Sequence, residues 1–451
     1  MTDRFEISRR KALAALGTIG VASGGAGLGT SAYFNDTESF ENNIVTAGTM
    51  DLIVDYYSYW NQGSAGSGFV TGAANGDAVE SELTDVKPGD SGLITLCPRI
   101  ETNPAYLWLC GELTANDENG QNEPEVQVDD TTGARYGELA QNIDLTVEYC
   151  EVADDFGQDF GPEDVTTVAE AWTGTLADFL ATIRYGVPLD GGAAVPGFPA
   201  PGDQQEFVGS DNEDGNYCLC LDWKVPTEVG NEIQSDTLTF DLQLYAQQSR
   251  HNSGTNNPCL PEGTVGSGDF SQISYDKAFS MQALSRAGSG RGEIQIHGDS
   301  GGVENTTLWG PDPGDTFPAN TDVGFTASVD PSAETASLTI NGVTVTDDDV
   351  TDGDANAAST GEPEWPQGVP SQVDIALTAS SGSPDVTTVV KDVTLNGNAV
   401  SPDEISSVDD LTFLELTNVP ATSTVTVEGT LRFEGSTSDF NGQSFVGIDW
   451  R

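Results

Sequence analysis

The sequence predicts an all-β protein: an N-terminal jelly-roll-like β-sandwich with one crossover helix, followed by a second, Ig-like β-sandwich. Three observations predict it. Apolar and polar residues alternate at period two through short segments, as in residues 143–149 and 238–246 (LTFDLQLYA). That period belongs to strands with one buried face and one wet face. Turn clusters separate such segments, at residues 87–90 (KPGD), 190–192 and 211–216. Two Asn-Gly pairs, Asn341-Gly342 and Asn396-Gly397, sit inside alternating stretches, a strong short-range hairpin signal.

The chain opens with a charged stretch containing Arg9 and Arg10, then small, uncharged residues at 12–31. Ala32 ends a Thr-x-Ala cleavage site, so residues 1–32 read as a signal peptide cut between Ala32 and Tyr33. The arginine pair, with Leu13 behind it, fits a twin-arginine export signal. The core holds many glycines and few large apolar side chains. It is a poor bilayer anchor, and contact with the membrane is expected only in transit.

About 420 residues remain after the cut, more than one ordinary core accommodates. The expected division is a first sandwich at 33–252, a linker at 253–285 and a second sandwich at 286–451. Residues 251–268 are rich in Asn, Gly and Pro. Cys259 lies among them and leaves open a loop tied to the first domain. The helix is expected over residues 165–184, where Val168, Trp172, Leu176, Phe179, Leu180 and Ile183 recur at three-to-four spacing, interrupted by Gly174. In the second domain, residues 293–297, 336–345, 386–400, 424–433 and 444–450 read as strands.

Six cysteines, Cys97, Cys110, Cys150, Cys218, Cys220 and Cys259, form an even set with no C-x-x-C pair. In an exported chain they predict disulfides, with fifteen connectivities open to six cysteines. Cys218 and Cys220 share one face of a strand and are expected to pair with different strands. A cysteine-rich metal site including His251 is the competing reading.

Acidic residues number 72 against 16 basic ones, a net charge of −56. Self-repulsion of that size is screened in concentrated salt, so the composition predicts an extreme halophile, archaeal in origin. Nucleic acid is excluded as a partner, since phosphate binding needs clustered Lys and Arg.

Signals for catalysis are poor, and no enzyme is expected. The chain has two histidines, His251 and His297, and lacks H-E-x-x-H, a Walker A loop and G-x-G-x-x-G. A G-x-S-x-G at 298–302 would make Ser300 a nucleophile, but it reads better as a glycine-rich loop closing a strand. No carboxylate pair stands out for glycoside hydrolysis. No cofactor is expected. Asp347, Asp349, Asp352 and Asp354 surround Gly353 as weak calcium candidates without EF-hand spacing; a solvated loop is the default. Asn35 and Asn305 begin glycosylation sequons.

Five motifs occur in order: Tyr33-Phe34-Asn35-Asp36-Thr37-Glu38 at the cut, Thr46-Ala47-Gly48-Thr49-Met50-Asp51-Leu52, Val86-Lys87-Pro88-Gly89-Asp90, Asn103-Pro104-Ala105-Tyr106-Leu107-Trp108, and residues 238–252. Together they resemble the TasA/camelysin family, with its dedicated signal peptidase, and its archaeal bundling-pilus-like members. The resemblance covers about residues 33–252 and not 263–451. It implies a non-catalytic subunit of an extracellular filament or biofilm matrix, assembling head to tail. The freed strand 33–45, with Tyr33, Phe34, Asp36, Phe40, Ile44 and Val45, would leave its own domain and enter the next subunit. A glycan on Asn35 would oppose that docking. The camelysin branch has been described as metalloproteases, but too few histidines remain here for a His-based catalytic zinc. The alternatives are a monomeric secreted or cell-surface binding protein, with a glycan or surface protein as ligand, and a secreted hydrolase using Ser300.

Overall fold

The computed structural model describes residues 50–76, 82–120, 123–129, 131–153, 160–192, 196–208, 217–259, 263–267, 278–285, 292–298, 303–309, 317–348, 350, 365, 367–436, 438–440 and 444–451. Arg9, Arg10, the Ala32–Tyr33 cut and the whole of segment 33–45 lie outside them.

The first sandwich is built from β1 (Met50–Asn61), β2 (Ser67–Ala74), β3 (Ser91–Thr102), β4 (Ala105–Asp117), β5 (Asp144–Val152), β6 (Val165–Thr175), helix α1 (Leu176–Ile183), β7 (Val187–Leu189), β8 (Cys218–Lys224) and β9 (Thr237–Gln248). A six-stranded antiparallel sheet, β2-β1-β3-β8-β5-β6, faces a three-stranded sheet, β7-β4-β9. Between them Leu107, Leu109 and Leu113 of β4 meet Leu145, Val147 and Tyr149 of β5 and Leu219 and Leu221 of β8. These are the inward members of the alternating segments. Each fully buried aliphatic or aromatic side chain contributes about 1.5–3 kcal/mol.

The helix is shorter than expected. Residues 165–175 form β6, and only Leu176–Ile183 is helical. The β-branched run Val165-Thr166-Thr167-Val168 and Gly174 disfavour the first half as helix. Thr175 then caps the second half, its Oγ1 accepting from the Asp178 amide at 3.2 Å. Phe179, Leu180 and Ile183 are fully buried. The helix carries the chain from β6 in one sheet to β7 in the other, as a crossover helix should. Gly111 of β4 admits it: a Cβ there would stand 2.6 Å from Ile183 Cδ1 and 2.5 Å from the Asp241 carbonyl oxygen.

The second sandwich comprises β10 (Thr264–Ser267), β11 (Phe279–Ser285), β12 (Gly292–Gly298), β13 (Val303–Leu308), β14 (Val323–Asp330), β15 (Thr335–Ile340), β16 (Val343–Asp347), β17 (Gln372–Ser380), β18 (Thr387–Leu395), β19 (Asn398–Ala399), β20 (Ile405–Val408), β21 (Leu411–Pro420), β22 (Val425–Glu434) and β23 (Ser444–Trp450). One sheet runs β10-β21-β17-β23-β11-β12-β13; the other runs β16-β15-β14-β22-β18-β19, with β20 also on β18. Both share a core that includes Phe279, Phe317, Phe433 and Trp450. The two Asn-Gly hairpins form with positive φ at both central residues: 46° and 83° at Asn341-Gly342, 50° and 79° at Asn396-Gly397. Those values suit the type I′ turn, which matches strand twist.

Within the expected linker, residues 253–285, the described stretches join the fold. Cys259 is bonded to Cys110, β10 joins β21, and β11 lies between β12 and β23. Asn, Gly and Pro mark only the start of this segment. The later FSMQALS stretch buries Phe279, Met281 and Ala283.

The sandwiches touch directly. Arg135 pairs with Asp374 at 2.7 Å. The Ser371 amide donates to the Arg135 carbonyl at 2.9 Å, and Thr132 N donates to Gln367 Oε1 at 2.7 Å. Gln372 Nε2 donates to the Leu113 carbonyl. Arg184 donates to the Thr417 and Asn418 carbonyls, each at 2.5 Å.

All six cysteines are in disulfides: Cys97–Cys218, Cys110–Cys259 and Cys150–Cys220. The strand β8 pairs with β3 on one side and β5 on the other. Its two same-face thiols bond outward to each, as the spacing predicted, and no thiol is left for a cysteine metal site. Disulfides of this kind persist in oxidising compartments. Among the described residues, no helix is long and apolar enough to cross a membrane.

Candidate functional site

Strand β9 pairs with β4 along its length, from Thr237 opposite Asp117 to Gln248 opposite Ala105. Among the described residues its other edge has no strand partner. Its inward residues Leu238, Phe240, Leu242, Leu244 and Ala246 are only half-buried, whereas Leu107, Leu109 and Leu113 of the neighbouring β4 are buried. Burial thus falls away from β4 towards the free edge.

The opposing sheet has the same shortfall. Six strands face three, and inward residues Leu52, Val54, Tyr56 and Trp60 of β1 are all half-buried. Their side is fixed by register, Tyr56 lying opposite Leu96, which packs on the main core. A Cβ on Gly72 would stand 2.5 Å from Tyr56 Oη, and one on Gly68 2.6 Å from the Trp60 ring. The two aromatic side chains therefore lie across these glycines of β2. On the outward face of the same sheet the half-buried Tyr57, Tyr59 and Phe69 pack on the buried Leu93, Phe160, Cys150 and Cys220, and Tyr57 stacks on Phe160 at 5.0 Å. Two disulfides cross that face and stiffen the sheet behind the open side. A twelve-residue strand with one edge unpaired among the described residues and a half-covered apolar face can accept another strand.

A second constellation lies at the other end of β9. Oxygens of Glu118, Glu138 and Asp236 all lie within 4.8 Å of one another. Glu118 follows β4, held by paired backbone bonds with Gly133 at 3.1 Å each. Glu138 immediately precedes the 3-10 turn Leu139–Asn142, and Asp236 immediately precedes β9. Asp236 Oδ2 accepts from the amides of Glu138 at 2.6 Å and Leu139 at 2.8 Å. Burial, then the Asp129 charge, pushes the Glu138 carboxyl up to about 7. Burial, then the Glu118 carboxyl, pushes Asp236 up to about 8. Sequence reading missed this trio: its members are far apart in the chain, and among 72 acids nothing marks them.

The other sequence candidates fall elsewhere. Asp347 is buried at the end of β16, while Asp349, Asp352 and Asp354 lie outside the described residues, as do Ser300 and Asn35. Asn305 is in β13, opposite Ile296 of β12. His297 is buried in β12 of the second sandwich; His251 is exposed just after β9, with φ 64°.

No protein-family model matches the chain, and no curated protein matches it.

Proposed function

We propose that the protein is an exported structural subunit of an extracellular filament or matrix, in which residues 33–45 of one copy add as a strand to the free edge of β9 in the next. The observation that carries this reading is the falling burial across β4 and β9 on a strand with an open edge. Segment and acceptor match in length: thirteen and twelve residues, each about 40 Å when extended. Phe34, Phe40 and Ile44 are even numbers apart and share one face of an extended strand. They would fill the space over β1 left by the unequal sheets. Such a contact is heterologous and propagates as a fibre. The leader would block it until the cut at Ala32 frees Tyr33. Three disulfides fit an exported protein, and the resemblance to the TasA/camelysin family points the same way.

Negative-stain microscopy of the mature protein, beside a form beginning at residue 46, tests the proposal. Fibres are expected from the first and single particles from the second, with a peptide of residues 33–45 binding the shortened form. Single particles from both, at high concentration, overturn it; the strand then packs on its own sandwich.

A further inference from the structure

We propose that Glu118, Glu138 and Asp236 form a site for one calcium ion, joining the end of β4, the turn at 139–142 and the start of β9.

The acidic composition alone does not make this site; unanswered oxygens do. Glu118 is 3% exposed, and its Oε2 has no hydrogen-bond partner. Glu138 Oε2 and Asp236 Oδ1 are likewise buried without a donor. The remaining oxygens are used. Glu118 Oε1 accepts from Gly120 N at 2.8 Å, Glu138 Oε1 from Thr131 Oγ1 at 3.2 Å, and Asp236 Oδ2 caps the 3-10 turn. Each carboxylate is thus oriented by one oxygen, and each has a second oxygen that lacks a donor. No Lys or Arg forms an ion pair with any of the three among the described residues. A buried carboxylate without a counter-charge is costly. One shared proton would answer a single pair of oxygens; a divalent cation answers all three.

Size and ligand type select the ion. Calcium holds oxygens at about 2.3–2.6 Å, so its ligands lie at most about 5 Å apart. The three carboxylates, mutually within 4.8 Å, fit that shell. They come from three separate chain segments with no regular frame, which suits calcium's tolerance of irregular coordination better than the octahedron magnesium demands. The loop so fixed is the one whose Thr132 and Arg135 dock on the second sandwich. This inference does not depend on filament assembly.

The test is calcium titration of the full mature protein by calorimetry, after stripping with EGTA, in buffer containing excess magnesium to saturate weak surface sites. One saturable equivalent is expected, together with a higher thermal midpoint. Glu118→Gln should lose both effects, and the exposed Glu404→Gln should keep them. Should Glu118→Gln not fold, the half-buried Glu138→Gln serves in its place. Absence of a saturable equivalent in the unmodified protein under excess magnesium, or its persistence in the Glu118 or Glu138 variant, overturns the proposal.

Discussion

The guanidinium of Arg135 in the first sandwich pairs with the carboxylate of Asp374 in the second, 2.7 Å away. Asp374 also accepts from the Asn418 amide at 2.8 Å, so it organises its own sheet while binding its neighbour. Charge-assisted bonds between partly buried groups exceed surface pairs in strength. A double-mutant cycle with Arg135→Ala and Asp374→Ala should give a coupling of about 1–2 kcal/mol by chemical denaturation. The Asp374 single change should cost more than the Arg135 change, because it also strands the Asn418 amide. Equal costs would mean that the Asn418 contact contributes nothing.

Gly111 of β4 lies against Ile183 of α1. An added methyl at Gly111→Ala meets a backbone carbonyl, which cannot swing aside, as well as Ile183. Overpacking of this kind typically costs about 1–3 kcal/mol. A lower denaturation midpoint with an unchanged slope is the expected result.

The Cys150–Cys220 bond closes a 70-residue separation across the outward face of the first sandwich. Replacing both cysteines by alanine should remove about 2–5 kcal/mol. Because all three disulfides join residues between 97 and 259, reduction should raise amide exchange in β3, β5 and β8 and leave β14 and β22 protected. Exchange mapped by mass spectrometry checks this.

The raised pKa values give stability a pH dependence of definite sign. Glu138 and Asp236 titrate at about 7 and about 8 when folded, and near 4 when unfolded. The folded form therefore favours the protonated groups. Their contribution is fully present below about pH 4, declines as pH rises and is gone above about pH 8. The Asp129 and Glu118 charges facing Glu138 act in the same direction. In EGTA at pH 8–9, Glu138→Gln should thus be more stable than the unmodified chain. With calcium present the order should reverse, which denaturation curves in the two buffers would reveal.

Much of the fold was legible because its signals are local. The period-two segments became β5 and β9, both Asn-Gly turns formed, and the Cys218-Leu219-Cys220 spacing placed two disulfides on neighbouring strands. Where the signals were local but ambiguous, tertiary context decided. Residues 165–175 carry apolar spacing compatible with either a helix or a strand, and pairing with β5 made them a strand. Residues 279–285 looked like linker until β23, more than 150 positions later, supplied a partner. The carboxylate trio was illegible for the same reason: Glu118, Glu138 and Asp236 meet only once β4 and β9 pair.

The cross-links also shape how the chain would carry tension. A pull transmitted from β1 to β23 need not pass through most of the first sandwich. It can run from Cys97 along the short stretch to Cys110 and cross there to Cys259. The residues bypassed by that covalent route form slack that force cannot pay out, so the first sandwich would resist stretching while the uncross-linked second one yields.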